Sequence, residues 1–125
     1  MSVFTKIVIL LCMLTSAWAK RTTVEITNSL EGKENLNIHC KSKDDDLGFH
    51  LLPINQSFQW SFGPHFLGKT LYFCSFQWGN SPLLYFDAYD EPRDIDICSN
   101  CHWYIKKDGP CRYEEPTYRK CYKWN

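Results

Sequence analysis

The stretch Leu71-Tyr72-Phe73-Cys74-Ser75-Phe76-Gln77-Trp78 decides the fold class of this chain. It is rich in aromatic residues and contains neither glycine nor proline, which is typical of a β-strand. Apolar residues occupy both alternating sets of positions in the stretch. The pattern therefore predicts a central strand that is covered on both of its faces.

Shorter segments with alternating apolar and polar residues surround this strand, as expected for strands that bury one face. They span residues 24–26, 36–40, 58–62, 84–88 and 101–105. Turn-forming residues separate them, at Gly63-Pro64, Gly79-Asn80-Ser81-Pro82, Asp90-Glu91-Pro92 and Asp108-Gly109-Pro110. No segment has the apolar period of a long helix, so the chain is predicted to be an all-β sandwich or barrel.

Residues 1–19 predict a secretory signal peptide. Lys6 supplies a positive charge, residues 7–14 are apolar, and Ala17-Trp18-Ala19 matches the small-x-small cleavage pattern. The apolar run is too short to span a bilayer, so no membrane span is expected after cleavage. Residues 20–125 contain no linker or repeat and are expected to form a single extracellular domain.

The cysteine content points to disulfides or to a metal site. Loss of Cys12 with the signal peptide would leave six of the seven cysteines, an even number typical of secreted disulfide-bonded domains. The six are Cys40, Cys74, Cys98, Cys101, Cys111 and Cys121. Their spacing alone does not determine how they pair.

Two cofactor hypotheses compete with disulfides at Cys98-Ser99-Asn100-Cys101-His102. The segment matches the C-x-x-C-H pattern of covalent haem attachment, with His102 as an axial ligand. No methionine follows residue 19 to serve as the second axial ligand, and four cysteines would stay unexplained. Zinc sites usually combine two close cysteine pairs, whereas this chain has a single C-x-x-C. We therefore expect disulfides, with no cofactor and no metal.

Other polar motifs also have an ordinary structural interpretation. Asp44, Asp45 and Asp46 are consecutive, whereas calcium loops place their ligands at alternate positions, so a solvated loop is favoured. Asn55-Gln56-Ser57 is a glycosylation sequon, which predicts a surface loop with a glycan on Asn55. The 14 basic residues equal the 14 acidic ones, and this balance argues against a nucleic-acid binder.

Two functional alternatives need a particular arrangement of side chains. A secreted hydrolase or toxin needs histidines and carboxylates gathered in one concave site, and the candidate bases are His39, His50, His65 and His102. None of them lies in a recognisable catalytic motif, so the chain is not expected to be an enzyme. A carbohydrate-binding module needs an exposed row of aromatic rings, whereas rings at strand spacing more often form the core.

Several segments, taken in order, resemble the plant self-incompatibility protein family, also called S-protein homologues. They lie at residues 24–28, 39–48, 73–78, 89–94, 101–105, 108–111 and 121–124. The resemblance implies a small secreted plant protein with a β-sandwich fold, intramolecular disulfides and no catalytic residues. The family's founding members are ligands in pollen rejection, so the resemblance also implies an extracellular ligand.

The resemblance also makes the fold and the cysteines more specific. It implies a disulfide-stapled sandwich, for which we expect about seven to eight antiparallel strands. The family's core cysteines map to Cys40, Cys74, Cys101 and Cys121. Cys98 and Cys111 are additional to that core, and we expect them to form a third disulfide.

A ligand of this type would bind its partner through loops presented by rigid strands. The charged or turn-rich loops 41–47, 63–69 and 90–94 are the candidates. Their predicted contact residues are Asp44, Asp45, Asp46, His65, Phe66, Glu91 and Arg93. The expected partner is a plasma-membrane receptor or an extracellular protein, and the protein itself is expected to be a monomer.

Overall fold

The structure is a computed structural model that describes residues 21–64, 69–114 and 118–125. This part of the chain contains nine strands and one helical turn. They are β1 (Thr22–Asn28), β2 (Leu36–Lys41), β3 (Asp46–Leu52), β4 (Ser57–Phe62), β5 (Leu71–Gln77), β6 (Leu84–Asp90), α1 (Glu91–Asp94), β7 (Asn100–Lys106), β8 (Gly109–Glu114) and β9 (Tyr118–Cys121). The predicted signal peptide and the candidate residues His65 and Phe66 lie outside the described residues.

The strands form two sheets that pack face to face, which confirms the all-β sandwich. The five-stranded sheet has the order β4-β1-β7-β8-β9, and the four-stranded sheet has the order β3-β2-β5-β6. Two details differ from the expectation. The described strands number nine, and β1 pairs with β7 in parallel, from Thr23 opposite Asn100 to Asn28 opposite Ile105. Strand direction depends on the long connection between the two strands and not on local alternation.

The core lies between the sheets and is built from the alternating apolar positions that the sequence shows. Val24, Ile26 and Ile105 on one side and Phe76 and Phe86 on the other are almost completely buried. The indole N–H of Trp103, on β7, crosses the core and donates a 2.7 Å hydrogen bond to the Ala88 carbonyl on β6. Burial of these side chains is the main force that holds the two sheets together.

Strand β5 is central in its sheet, as predicted, because β2 and β6 flank it. However, only one of its faces is covered. Tyr72, Cys74 and Phe76 point into the core, whereas Leu71 and Phe73 are 39% and 37% exposed on the outer face. The apolar residues at both sets of positions therefore build one half of the core and one apolar outer surface.

Strand β8 begins at a position that the sequence pattern assigns to a turn. Gly109 has φ +146°, and a Cβ atom there would collide with the Tyr122 carbonyl of the C-terminal segment. Only glycine fits at this close approach of two backbones. The C-terminal segment then continues the sheet, since the Tyr122 N–H donates a 2.9 Å hydrogen bond to the Pro110 carbonyl.

All six cysteines that follow residue 20 form disulfides, namely Cys40–Cys74, Cys98–Cys101 and Cys111–Cys121. The expected bridge between Cys98 and Cys111 is wrong. Cys111 on β8 lies directly opposite Cys121 on β9, so the strand register selects that partner. Cys98 instead closes the short turn to Cys101.

Within the residues described, no helix has the length and apolar content needed to cross a membrane.

The three disulfides should contribute unequally to stability. Their cysteines are 34, 10 and 3 residues apart, in the order Cys40–Cys74, Cys111–Cys121 and Cys98–Cys101. Because a longer closed loop restricts the unfolded chain more, removal of each pair by alanine should cost roughly 4, 3 and below 2 kcal/mol. Urea unfolding of the three double variants measures this order. A Cys98/Cys101 variant as unstable as the Cys40/Cys74 variant would contradict it.

Candidate functional site

Two of the three predicted recognition loops meet at one end of the sandwich, which we call the loop end. Residues 42–45 connect β2 to β3, and residues 63–64 and 69–70 are the described parts of the β4–β5 connection. Both line an open hollow of about 610 Å³. Its floor contains Phe62, Tyr72 and Phe73, and its rim carries Lys43, Asp44, Asp45 and Lys69. The loop end therefore combines a charged rim with an aromatic floor.

The β2–β3 turn is held by its own backbone, which leaves two carboxylates free. Ser42 and Asp45 form a 2.7 Å backbone hydrogen bond, and the Asp45 N–H also donates to Ser42 Oγ at 3.1 Å. The Asp44 and Asp45 carboxylates have no partner among the described residues and face solvent. They are available to a binding partner.

Asp46 differs from its two neighbours because it is already engaged. Its Oδ1 accepts the Gly48 N–H at 2.9 Å and lies 2.6 Å from His39 Nε2. The Gly48 N–H and then the His39 hydrogen bond lower the pKa of Asp46. Among the described residues, no three acidic, histidine or cysteine side chains gather as metal ligands. The structure thus gives Asp46 a role in fixing the turn.

The third predicted loop, residues 90–94, turns its charged groups inward. Glu91 is 5% exposed, and its carboxylate accepts the Thr70 N–H at 3.4 Å. Arg93 donates to both Asp94 oxygens at 2.7 Å and to the Asp87 carbonyl at 2.8 Å. Both predicted contact residues are therefore used inside the protein, and the geometry gives them structural roles.

The Asp94 carboxylate, which Arg93 contacts, is the centre of a buried ionic cluster that joins the two sheets. Asp94, which ends α1 beside the four-stranded sheet, is 0% exposed. Its Oδ1 lies 2.8 Å from Nη1 of Arg112, which β8 of the five-stranded sheet contributes and which is 2% exposed. Asp94 Oδ2 also accepts the Asp90 N–H at 2.9 Å. Each oxygen of the buried carboxylate thus has a hydrogen-bond donor, as a buried charge requires.

The other contacts of Arg112 complete the cluster. Arg112 Nε donates to Glu114 at 2.9 Å, and its guanidinium lies 4.5 Å from the centre of the Trp103 ring. Glu114 also accepts the Tyr122 hydroxyl at 2.8 Å. A cation that is paired with two carboxylates and stacked on an aromatic ring is stable away from water.

The pKa values of the cluster follow from these contacts. Burial alone would raise the pKa of Asp94, but hydrogen bonds from Arg93 and the Asp90 N–H, with the charges of Arg93 and Arg112, hold it below its ordinary value. Burial also opposes ionisation of Glu114, yet Tyr122 and Arg112 lower its pKa. Both carboxylates are thus charged at neutral pH, and the cluster is an ionic one.

The described histidines do not gather in one place. His39 lies on the outer face of the four-stranded sheet beside Phe49, at 4.1 Å between ring centres. His50 stacks on Phe58 at 3.8 Å, and His102 lies on the outer face of the five-stranded sheet. The concave histidine site that the hydrolase alternative requires is not formed by these three.

Glu25, His102 and Thr27 form a chain of contacts from a carboxylate to an imidazole to a hydroxyl, which is the order of groups in a catalytic triad. His102 Nδ1 is 3.0 Å from Glu25, and His102 Nε2 is 2.6 Å from Thr27 Oγ1. Thr27 lies in β1, which pairs with β4 on one side and β7 on the other. The backbone N–H groups around Thr27 are therefore committed to the sheet and do not form an oxyanion hole. We assign the arrangement a structural role on a sheet surface.

Two predicted sites remain, the C-x-x-C-H segment and the glycosylation sequon at Asn55. The Cys98–Cys101 disulfide uses both thiols that haem attachment or a zinc site would need. Asn55 is exposed in a turn with φ +67°, where its N–H donates to the Asn28 carbonyl at 2.8 Å. Its side chain is therefore accessible to glycosylation, which stays a prediction.

Some of the described aromatic residues lie in the core, and others are exposed on the strands of both sheets, including Tyr113 on β8. Trp78 and Trp103 are buried, whereas Phe49 and Tyr85 are 77% and 51% exposed. Strand register places Phe49, Phe73 and Tyr85 on the outer face of the four-stranded sheet, because their cross-strand neighbours also point outward. We call these three residues, with Leu51 and Leu71, the apolar face. It meets the hollow of the loop end at Leu71 and Phe73.

Comparisons with known proteins agree with these features. A sequence model described as "Plant self-incompatibility protein S1" matches residues 23–124. S-protein homolog 5 of Arabidopsis thaliana is 48% identical over 104 residues, covering 83% of this chain and 79% of that protein. S-protein homolog 2 of Arabidopsis thaliana is 46% identical over 112 residues, covering 84% and 69% respectively.

A solved structure has the same fold. It is described as a self-incompatibility protein homologue from "a widespread family of small, highly stable, secreted proteins from plants". Its TM-score is 0.62 at 18% sequence identity, and the match covers 86% of this chain and 96% of that one. This likeness supports the sandwich architecture.

The ionic cluster predicts a strong effect of removing its cation. Replacement Arg112→Met would leave Asp94 and Glu114 buried without their shared partner, so we expect a loss of about 3–5 kcal/mol in the free energy of unfolding. The matched control is Arg119→Met on the exposed neighbouring strand, with an expected change within about 0.5 kcal/mol. Urea unfolding measures both. A loss below about 1 kcal/mol in Arg112→Met would contradict the role of the cluster.

The same cluster predicts sensitivity to acid. Because the folded-state pKa values of Asp94 and Glu114 are lowered, their contribution is complete above about pH 4, their unfolded range, and is lost as the pH falls through the folded values. Burial raises the pKa of Asp87, which opposes this trend. Asp94→Asn should lower the melting temperature at pH 6 and flatten its decline between pH 4 and pH 2. Parallel curves for wild type and variant would disprove the assignment.

Proposed function

The chain belongs to the plant self-incompatibility protein S1 family, and from that premise we propose that it is a secreted extracellular ligand that signals by binding a protein partner. The proposal includes a role in pollen–pistil recognition or a related form of cell–cell communication. The predicted signal peptide supports secretion, as does the description of the structural neighbour as secreted. Three disulfides fit an oxidising compartment.

The observation that carries the proposal is the contrast between committed and free groups at the loop end. Glu91, Arg93 and Asp46 are bound within the protein, whereas Asp44 and Asp45 are free beside the hollow and the apolar face. Exposed aromatic side chains beside charged groups are typical of a protein interface. A rigid frame with free groups at one edge is suited to recognition.

The partner's chemistry follows from the same surface. The apolar face offers the large side chains Phe49, Phe73 and Tyr85, which suit an apolar patch on the partner. The Asp44 and Asp45 carboxylates at the rim suit arginine or lysine side chains. We therefore propose that the partner is the extracellular part of a plasma-membrane receptor that presents an apolar patch with basic residues at its edge.

Removal of the two free carboxylates tests this proposal. The variant Asp44→Asn/Asp45→Asn keeps the turn but removes its charges, so affinity should fall about tenfold, which corresponds to losing two rim ion pairs. The measurement is saturable binding of the labelled protein to plasma membranes of plant cells that respond to it. The melting temperature of the Asp44→Asn/Asp45→Asn variant should match that of wild type.

The matched control removes the same charge at the other end of the sandwich, with Glu31→Gln/Asp108→Asn. This control should bind like wild type. Equal affinity of the Asp44/Asp45 variant and wild type would remove the turn from the interface. Wild-type binding that survives protease treatment of the membranes would overturn the proposal of a protein receptor.

A further inference from the structure

We propose that the end of the sandwich opposite the loop end holds a binding site for a polysaccharide whose sugars carry carboxylates. Lys106, Arg119 and Lys123 line a second hollow there, of about 770 Å³. The Cys111–Cys121 disulfide and Gly109 also line it. We call this hollow and its three cations the cationic site. It shares no lining residue with the hollow of the loop end.

The sheet register explains why the three cations meet. Cys111 lies opposite Cys121, and Lys106 lies opposite Gly109, two residues before Cys111. Arg119 and Lys123 lie two residues to either side of Cys121. Since side chains two residues apart in an extended chain share a face, both cations lie on the same side as the disulfide. The disulfide therefore gives the site a rigid floor.

The three cations are not used by the protein itself. Among the described residues, Lys106, Arg119 and Lys123 have no ion-pair partner, whereas neighbouring Lys107 pairs with Glu34 at 3.4 Å. Lys120, on the other side of β9, lies over the Tyr122 ring at 5.2 Å. Unpaired cations around one hollow indicate a site for an anionic ligand.

Two acidic residues, Glu31 and Asp108, also line the hollow, and against the three cations they leave the lining one net positive charge. The Glu31 carboxylate accepts the Lys107 N–H at 3.1 Å, which fixes its position on the protein. Charged side chains on an edge strand prevent it from pairing with another chain, and this role would explain the presence of Arg119 on β9 alone. It does not account for Lys106, because β7 is an interior strand between β1 and β8.

An exposed aromatic ring beside the cations indicates the class of the ligand. Tyr113 lies directly opposite Arg119 and is 68% exposed, and its ring is 6.2 Å from that of Tyr104. A sugar ring presents C–H groups that stack on such a surface, while a sugar carboxylate accepts paired hydrogen bonds from an arginine. A chain of uronate sugars combines both features.

The size and the charge of the protein fit this ligand. Arg119 and Lys123 are separated by four residues of extended chain, or about 13 Å, so the site extends over several sugar units. The formal net charge of zero gives no general attraction to polyanions, so binding depends on the local cluster. The inference is independent of the receptor proposal, and it is tested without membranes.

Binding to oligogalacturonates of defined length, measured by calorimetry at low ionic strength, tests the site. The variant Lys106→Gln/Arg119→Gln/Lys123→Gln should bind at least tenfold more weakly than wild type. The control Lys41→Gln/Lys43→Gln/Lys69→Gln removes the same charge near the loop end and should bind within twofold of wild type. Tyr113→Ala should weaken binding about threefold or more, and the methyl-esterified oligomer should bind as poorly as the triple variant.

A measurement on the unmodified protein guards against variants that fail to fold. Titration of isotope-labelled wild type with the oligomer should shift amide signals of residues 104–113 and 119–124, and leave residues 41–47 unchanged.

Several results would overturn the proposal. Absence of wild-type binding would do so, and equal loss in both triple variants would show general charge attraction. Equally tight binding of inorganic phosphate or of single-stranded DNA, or unchanged binding by Tyr113→Ala, would show an anion site without polysaccharide selectivity.

Discussion

The pairing of Asp94 with Arg112 is the constraint on which the rest of the structure depends. It places a carboxylate from the end of the four-stranded sheet against a guanidinium from the five-stranded sheet, in a region closed to water. Removing two charges from water is costly, and their attraction repays that cost only where every remaining donor and acceptor is satisfied. The pair therefore requires α1, Arg93 and Glu114 to take their observed positions. We infer that it fixes how the two sheets are aligned, while apolar burial supplies most of the stability.

This constraint also separates structural charges from functional ones. The cluster uses Arg93, Asp94, Arg112 and Glu114, and the Thr70 backbone holds Glu91, so these groups are not offered to a partner. Among the charged groups that remain free, Asp44 and Asp45 lie with Lys43 and Lys69 at the loop end, and Lys106, Arg119 and Lys123 lie at the cationic site. Because both ends are presented by disulfide-linked strands, little conformational freedom is lost on binding. A small domain can thus present two chemically different surfaces.

The sequence predicted the elements whose residues alternate, and it failed where function or close packing breaks the alternation. β1, β2, β4, β6 and β7 were predicted from apolar residues at every second position, and β5 from an aromatic-rich run that is apolar at both sets of positions. β3 begins within a run of aspartates and contains Gly48, and β8 begins at Gly109-Pro110, so both resemble turns. The buried Arg112 and Glu114 hid β8 further, since charged residues rarely lie in a core. The Asp44 and Asp45 turn was found from its charge, whereas the inward turn of Glu91 and Arg93 depends on contacts with Thr70 and Asp94 that no local pattern reveals.

Native-state hydrogen exchange of the Asp90 amide tests the central claim most directly. This N–H donates to Asp94 Oδ2, so it reports on the joint between the sheets without any substitution. If the ionic cluster unites the two sheets, the Asp90 amide exchanges only through global unfolding, with the same free energy and denaturant dependence as the Ile26 and Phe76 amides in the core. Exchange through a smaller opening that is independent of denaturant, while both sheets stay protected, would contradict the account.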